Sequence, residues 1–240
     1  NKFMKDKHAH IEPHHGNNGQ KLNWLRAGVL GANDGIISMA GLVIGVAAAT
    51  DSHLVILTTG IAGTIAGAIS MAAGEYVSVS SSRDSEKALL KLEEYELKHY
   101  PKEELEELAC IYENKGLSRE TALRVAKELT EKDAMKAHFD AELGIDPNNL
   151  TSPWYAAFAS CVAFLSGAII PLLAVLLSPA SIRIPLVFTS VIIALVLTGT
   201  ISAKIGKANV LRAVTRVVIG GALAMIITYE IGRIFSLELA

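Results

Sequence analysis

Apolar residues gather in five long stretches along the chain, about residues 25–49, 54–80, 154–178, 184–206 and 211–235. A bilayer core is about 30 Å thick, so a helix needs roughly 20 mostly apolar residues to cross it. Each stretch is long enough, and the pattern predicts five transmembrane helices. The polar block between the second and third stretches predicts helices of another kind. Pro101 suits a first helical position, Ser118 an N-cap, and Gly116 and Gly144 helix ends. Three helices are expected there: one to about Tyr100 that can continue the second span, one from Pro101, and one from Ser118 to Gly144. The fold class is an all-α membrane protein, with five transmembrane helices and a three-helix domain inserted between the second and third. The organisation follows as a polar, His-containing tail at 1–24, spans one and two in 25–82, the inserted domain in 83–150 and spans three to five in 151–240.

Charge sharpens this division. Residues 84–146 hold 10 Lys/Arg and 17 Asp/Glu, net −7, while the other 177 residues hold 12 Lys/Arg and 7 Asp/Glu, net +5. A dense acidic block excludes a nucleic-acid binder, which needs a basic stripe. Basic residues also set orientation. With the N-terminus on one side, that side also carries 81–153 and the 204–216 turn, with Lys2, Lys5, Lys7, Lys21, Arg26, Arg83, Lys204, Lys207, Arg212, Arg216 and the basic residues of the block. The other side carries Arg183 and Arg233. The first side is expected to be the cytoplasm. Residues 1–20 lack the apolar core of a signal peptide, and a chain opening on Asn1 reads as trimmed. Cys110 and Cys161 make neither a disulfide framework nor a CxxC site and read as buried or inert thiols.

The polar residues inside the spans are the first candidates for chemistry, because intramembrane charge is costly. Asp34 lies nine positions into the first span, and Met71 nine positions before the end of the antiparallel second span. Both therefore fall about 13 Å deep at 1.5 Å per residue. Glu75 lies one turn from Met71 towards the cytoplasm. Carboxylates alone suit hard ions, and an added thioether shifts preference towards Fe²⁺ and other transition metals. Asn33-Asp34-Gly35 is also a turn-forming triplet, and a broken helix capped by Asp34 is the competing reading. Gly31/Gly35, Gly41/Gly45 and Gly63/Gly67 are G-x-x-x-G pairs that predict close helix contact, within the chain or at a dimer seam. Glu230 and Arg233 read as an interfacial ion pair.

The acidic block supplies a second set. Glu93/Glu96 and Glu104/Glu107 are i, i+3 pairs, and His138/Glu142 an i, i+4 pair. Clustered carboxylates need compensation, from lysines or from divalent cations. A di-iron oxidase needs two Glu-x-x-His motifs. The block has one, ending at His99, so an enzyme is not expected. His8, His10, His14 and His15 offer imidazoles on the tail but few further ligands.

Leu25-Arg26-Ala27-Gly28-Val29-Leu30-Gly31-Ala32-Asn33-Asp34-Gly35-Ile36 resembles the first-span signature of the vacuolar iron transporter family. Ser70-Met71-Ala72-Ala73-Gly74-Glu75-Tyr76-Val77-Ser78 resembles its second-span signature, and the resemblance extends over nearly all of 21–236. It implies a five-span homodimer, with the ion path between the two first spans, that exports Fe²⁺, and often Mn²⁺, from the cytosol in exchange for protons. It implies pathway roles for Asp34 and Met71, with Glu75 in the same motif. It implies metal capture by Glu93, Glu96, Glu104, Glu107 and Glu142, with His138 and Phe139 standing where plant members carry methionines. An imidazole there suits Zn²⁺ as well as Fe²⁺, while Glu230 stands where a glycine is common. No permanent cofactor is expected. The expected partners are divalent metal ions, protons, the lipid bilayer and a second copy of the chain. The expected location is a bacterial inner membrane in preference to a vacuolar one, with the N-terminus and 83–150 cytoplasmic. The alternative function is a membrane-anchored metal-binding or sensing protein without transport.

Overall fold

The computed structural model describes the backbone of residues 18–147 and 150–238, and the side chains of 28–147 and 150–236. The tail histidines lie outside the described residues. Seven α-helices are present among them: α1 (Asn18–Ala49), α2 (His53–His99), α3 (Pro101–Asn114), α4 (Arg119–His138), α5 (Pro153–Leu177), α6 (Arg183–Ile205) and α7 (Val210–Glu238). A π-helical turn, Phe139–Leu143, follows α4, and a 3₁₀ turn, Ala180–Ile182, precedes α6. No strand occurs among the described residues. Five helical segments are long and apolar enough to cross a membrane, as the hydropathy pattern predicts, which fits an integral membrane protein. Helix α2 has 47 residues, about 70 Å at 1.5 Å per residue. That is more than twice a bilayer core, so the apolar part near 54–80 suffices to span and the remainder is polar. The chain divides into two compact units, 1–73 with 157–240, and 74–156.

In the first unit α1 is the central helix. Its Ile36, Ala40, Val43 and Ile44 are buried with Val175, Val187, Val191, Leu195 and Met225. Glycines decide how close its neighbours come. A Cβ on Gly35 would lie 2.1 Å from the Phe164 carbonyl oxygen of α5, and one on Gly167 would lie 2.1 Å from the Ala32 carbonyl oxygen. On the other face Gly45 and Gly232 bring α1 against α7 in the same way. Gly63 and Gly67 of α2 receive the side chains of Leu42, Met39 and Phe164. All three G-x-x-x-G pairs are thus used inside one chain. The broken-helix reading of Asn33-Asp34-Gly35 is overturned, because α1 runs unbroken from Asn18 to Ala49. Within a bilayer every backbone group needs an internal partner, and Gly35 serves helix contact instead of a turn. The outer surface is apolar, with Ile61, Ile65 and Ile69 exposed along α2.

The second unit has its own small core, Leu108, Ala109, Ala126 and Ala137 with Leu105, Tyr112, Leu123 and Leu129 against it. Gly116 (φ +101°) ends α3, and Ser118 caps α4 by accepting from the Thr121 amide. The third expected helix is not continuous. Asp133 (φ −169°, ψ 94°) leaves helical geometry inside α4, and its carboxylate accepts from the Lys136 amide at 3.0 Å, capping a fresh start. The π-turn then runs to Gly144 in the left-handed region (φ +62°).

Candidate metal centre

Four successive segments each deliver one ligand to a single point. Glu93 comes from α2, Glu104 from α3, His138 from the last residue of α4 and Glu142 from the π-turn. One ligand atom of each lies within 4.8 Å of all the others. His138 is fully buried and Glu93 is 3% exposed. The Nδ1 of His138 stands 2.8 Å from Glu93 Oε1, 3.6 Å from Glu104 Oε2 and 3.5 Å from Glu142 Oε2. The 2.8 Å approach is close enough for an ion pair but is not aligned as a hydrogen bond, so His138 Nδ1 and Glu93 Oε1 are left without a hydrogen-bond partner. Buried polar atoms are normally satisfied, and atoms converging without hydrogen-bond alignment fit ligation of a cation.

The electrostatics agree with that reading. The Glu93 carboxyl is pushed up to about 7, first by burial and then by the negative charges of Glu142, Glu104 and Glu96. The Glu104 carboxyl is also raised, by burial and by Glu107, Glu96, Glu142 and Glu103. Among the described residues no lysine or arginine pairs with the cluster. Arg119 is engaged by Glu106 and Glu113 instead. Three carboxylates and one imidazole around a common point can hold a divalent cation, and the imidazole adds affinity for transition metals.

The other candidate residues stand apart from this point. Glu96 is half-buried and Glu107 exposed, and both act on the cluster through charge alone. Phe139 is buried and opens the π-turn. His99 donates to, or accepts at, no cluster atom: its Nδ1 lies 2.8 Å from the Tyr95 carbonyl and its ring stacks on Tyr95. In the first unit Asp34 is half-buried, and its Oδ1 accepts from the Ser38 hydroxyl at 2.8 Å. Leu30 (61% exposed), Asp34 and Ser38 form a stripe, one turn apart, on the outward face of α1. Met71 packs against the Met39, Ala68, Phe164 and Ala168 cluster. Glu75 is half-buried and belongs to the second unit. The expected Glu230–Arg233 pair forms, at 2.9 Å. Of the two free cysteines, Cys161 is half-buried and Cys110 is exposed on the solvent side of α3, its sulfur 3.6 Å from the Arg119 guanidinium.

Sequence reasoning did not single out two further contacts. The Thr198 hydroxyl of α6 donates to Asn33 Oδ1 at 2.7 Å. Arg183, expected only as a topology marker, is buried and bonds His53. An amide beside Asp34 in a span was the available signal for the first.

Five helical segments long and apolar enough to span a bilayer fit the class of integral membrane proteins, here with a carboxylate–imidazole cluster in a separate polar unit. The chain belongs to the VIT family, whose sequence profile matches residues 25–233. It is 43% identical over 210 residues to the vacuolar iron transporter of Acanthamoeba castellanii, covering 87% of this chain and 77% of that one. It is 37% identical over 211 residues to vacuolar iron transporter homolog 4 of Arabidopsis thaliana (88% and 83% covered). It is 35% identical over 217 residues to vacuolar iron transporter homolog 2 of Oryza sativa subsp. japonica (90% and 93% covered). Members of this family are transporters, not enzymes.

Proposed function

We propose that the chain exports divalent transition metal, Fe²⁺ and also Mn²⁺, from the cytosol in exchange for protons. The observation that carries the reading is Asp34, a carboxylate on the outward stripe of a membrane helix whose other faces are packed. A carboxylate facing lipid is costly. A second copy of the chain, with its own Asp34 opposite, removes that cost and places two carboxylates on one path. The homodimer of the proposal therefore meets along Leu30, Asp34 and Ser38. Lipid covers the apolar outer faces.

Residues 83–150 lie on the cytoplasmic side, as the basic residues of the chain argue. Their Glu93–Glu104–His138–Glu142 cluster takes Fe²⁺, Mn²⁺ or Zn²⁺ from the cytosol, with Glu96 and Glu107 holding the surrounding potential negative. Glu75, Met71 and Asp34 accept the metal in turn. Asp34 releases it on the far side by taking a proton, since one carboxylate can bind either. A bilayer whose cytosolic face is the side of 83–150 satisfies this, whether a bacterial inner membrane or a vacuolar one of the kind that names the relatives.

Full-length protein in liposomes tests the reading. An imposed proton gradient should speed Fe²⁺ movement, and Asp34→Ala should abolish that acceleration. Equal transport by Asp34→Ala would sink the mechanism. The cluster would serve a sensor equally well. Deleting residues 86–143 separates the two: an exporter keeps a residual, Asp34-dependent flux, and a sensor has none with or without the block.

A further inference from the structure

Arg183 is the first residue of α6, and its side chain is 6% exposed. Its Nη2 donates to Nδ1 of His53, the first residue of α2, at 3.2 Å. Its Nε is buried without a partner. An arginine side chain only donates, so Nδ1 of His53 is an acceptor in this bond and the proton of the neutral ring sits on Nε2, a further donor. Helix α6 begins without a capping side chain at Ile182. The start of α6 offers few amides, since that of Ile182 is taken by the Pro179 carbonyl and Pro185 has none. Ser52 caps α2 by accepting from the Val55 amide, so the buried Arg183 side chain is the donor that matters here.

The buried charge at this corner is the Arg183 guanidinium. Arg183 forms no ion pair with a carboxylate among the described residues. The charged groups nearby offer no compensation. Asp51, on the turn before His53, is exposed and not within ion-pair distance. Glu230, half-buried, and Arg233, exposed, are paired with each other on α7 at 2.9 Å. The ends of α1 and α5 and the 3₁₀ turn carry no charge. A buried guanidinium without an anion is strongly unfavourable. The complement of a buried guanidinium with a free Nε–H and an imidazole N–H is a tetrahedral oxyanion, which accepts from several directions at once.

We propose that the Arg183–His53 corner binds a phosphate group. Residues 50–52 and 178–182 connect apolar helices, with His53 and Arg183 just after them, so the corner lies at the level where a spanning helix leaves the hydrocarbon. Both a lipid headgroup phosphate and inorganic phosphate are available there. The site is independent of the cation cluster and of the transport reading.

The test uses full-length protein in neutral detergent, its thermal unfolding followed during titration with inorganic phosphate, phosphatidylglycerol or, as a control, diacylglycerol. Saturable stabilisation by a phosphate-bearing probe and none by diacylglycerol is the expected result. Saturation by inorganic phosphate assigns a free anion, and saturation by phosphatidylglycerol alone assigns a headgroup. Arg183→Gln should weaken binding about tenfold or more, the scale of a lost charge-assisted hydrogen bond, and His53→Ala should weaken it less. If Arg183→Gln does not fold, Arg183→Lys keeps the charge, loses the fork and should still bind more weakly. The proposal is overturned if no probe saturates, or if Arg183→Lys and His53→Ala bind as tightly as the natural chain.

Discussion

The Thr198 hydroxyl donates to Asn33 Oδ1 at 2.7 Å, joining α6 to α1 at the residue beside Asp34. The same hydroxyl lies 3.3 Å from the Leu195 carbonyl of its own helix, the kind of acceptor used by Thr64, Ser166, Thr189, Thr200 and Thr215. The Thr198 bond adds a polar tie between α6 and α1 one residue before Asp34. Thr198→Val should cost about 0.6 kcal/mol, the mean for such bonds in membranes, and reduce Fe²⁺ flux, while Thr198→Ser should restore both. Unfolding in mixed micelles and liposome flux are the two measurements.

Small residues at the α1–α5 seam admit no substitution. Gly35→Ala and Gly167→Ala each drive a methyl group into a backbone oxygen, and neither helix has a side chain there to give way. Both variants should fail to yield monodisperse protein. Gly28→Ala and Gly74→Ala, with nothing within 4 Å of the added carbon, should behave as the natural chain. Size-exclusion profiles of the four variants decide it.

Within each glutamate pair the structure separates a cluster member from its neighbour. Glu104→Gln should weaken Mn²⁺ binding by about tenfold or more, the scale seen when ligands or their supports are lost. Glu107→Gln removes only a nearby charge and should change affinity far less. Isothermal titration of the purified protein compares them, and equal losses would contradict the four-residue cluster.

Acidity should act on the same cluster with a definite sign. Glu93 is raised to about 7 from 4.5, so in the metal-free protein the folded state favours its protonated form. Its contribution to stability is complete below about 4.5 and is lost as pH rises through about 7. A divalent cation needs the carboxylate charged, so affinity should rise over the same interval and binding near pH 6 should release protons. Proton release measured in weakly buffered solution, together with unfolding at pH 5 and pH 8 with and without Mn²⁺, checks both halves.

If two copies meet along α1, Ser38 of one faces Ser38 of the other. Ser38→Cys, with Cys110 and Cys161 replaced by Ser, should crosslink to a dimer under mild oxidation in membranes. Ile65→Cys, on the outer face of α2, should not. Denaturing gels report the outcome.

The five spans were legible because the hydrocarbon thickness sets a length that hydropathy displays directly. The continuity of α2 past Tyr76 was legible too, since no Gly or Pro interrupts 75–99. Which glutamate of each pair turns inwards was not. An i, i+3 pair places both on one side of a helix, and only the packing of Leu108 and Ala109 against α4 selects Glu104 over Glu107. The break at Asp133 escaped notice because an aspartate followed by helix formers reads as interior helix unless its side chain caps the next turn. Arg183 was read for its charge alone. Its side chain is buried and bonds His53, 130 residues away, a pairing that no local pattern encodes.

The carbonyl-to-glycine contacts between α1 and α5 also limit how the membrane unit can move. Seams lined by long side chains slide by changing rotamers, as those of Leu42, Met39 and Phe164 against α2 can. A seam of bare backbone has no such lubricant. Helices α1, α5 and α7 are therefore expected to travel together, and in the proposed transport cycle rocking around Asp34 falls on seams of side chains such as that with α2.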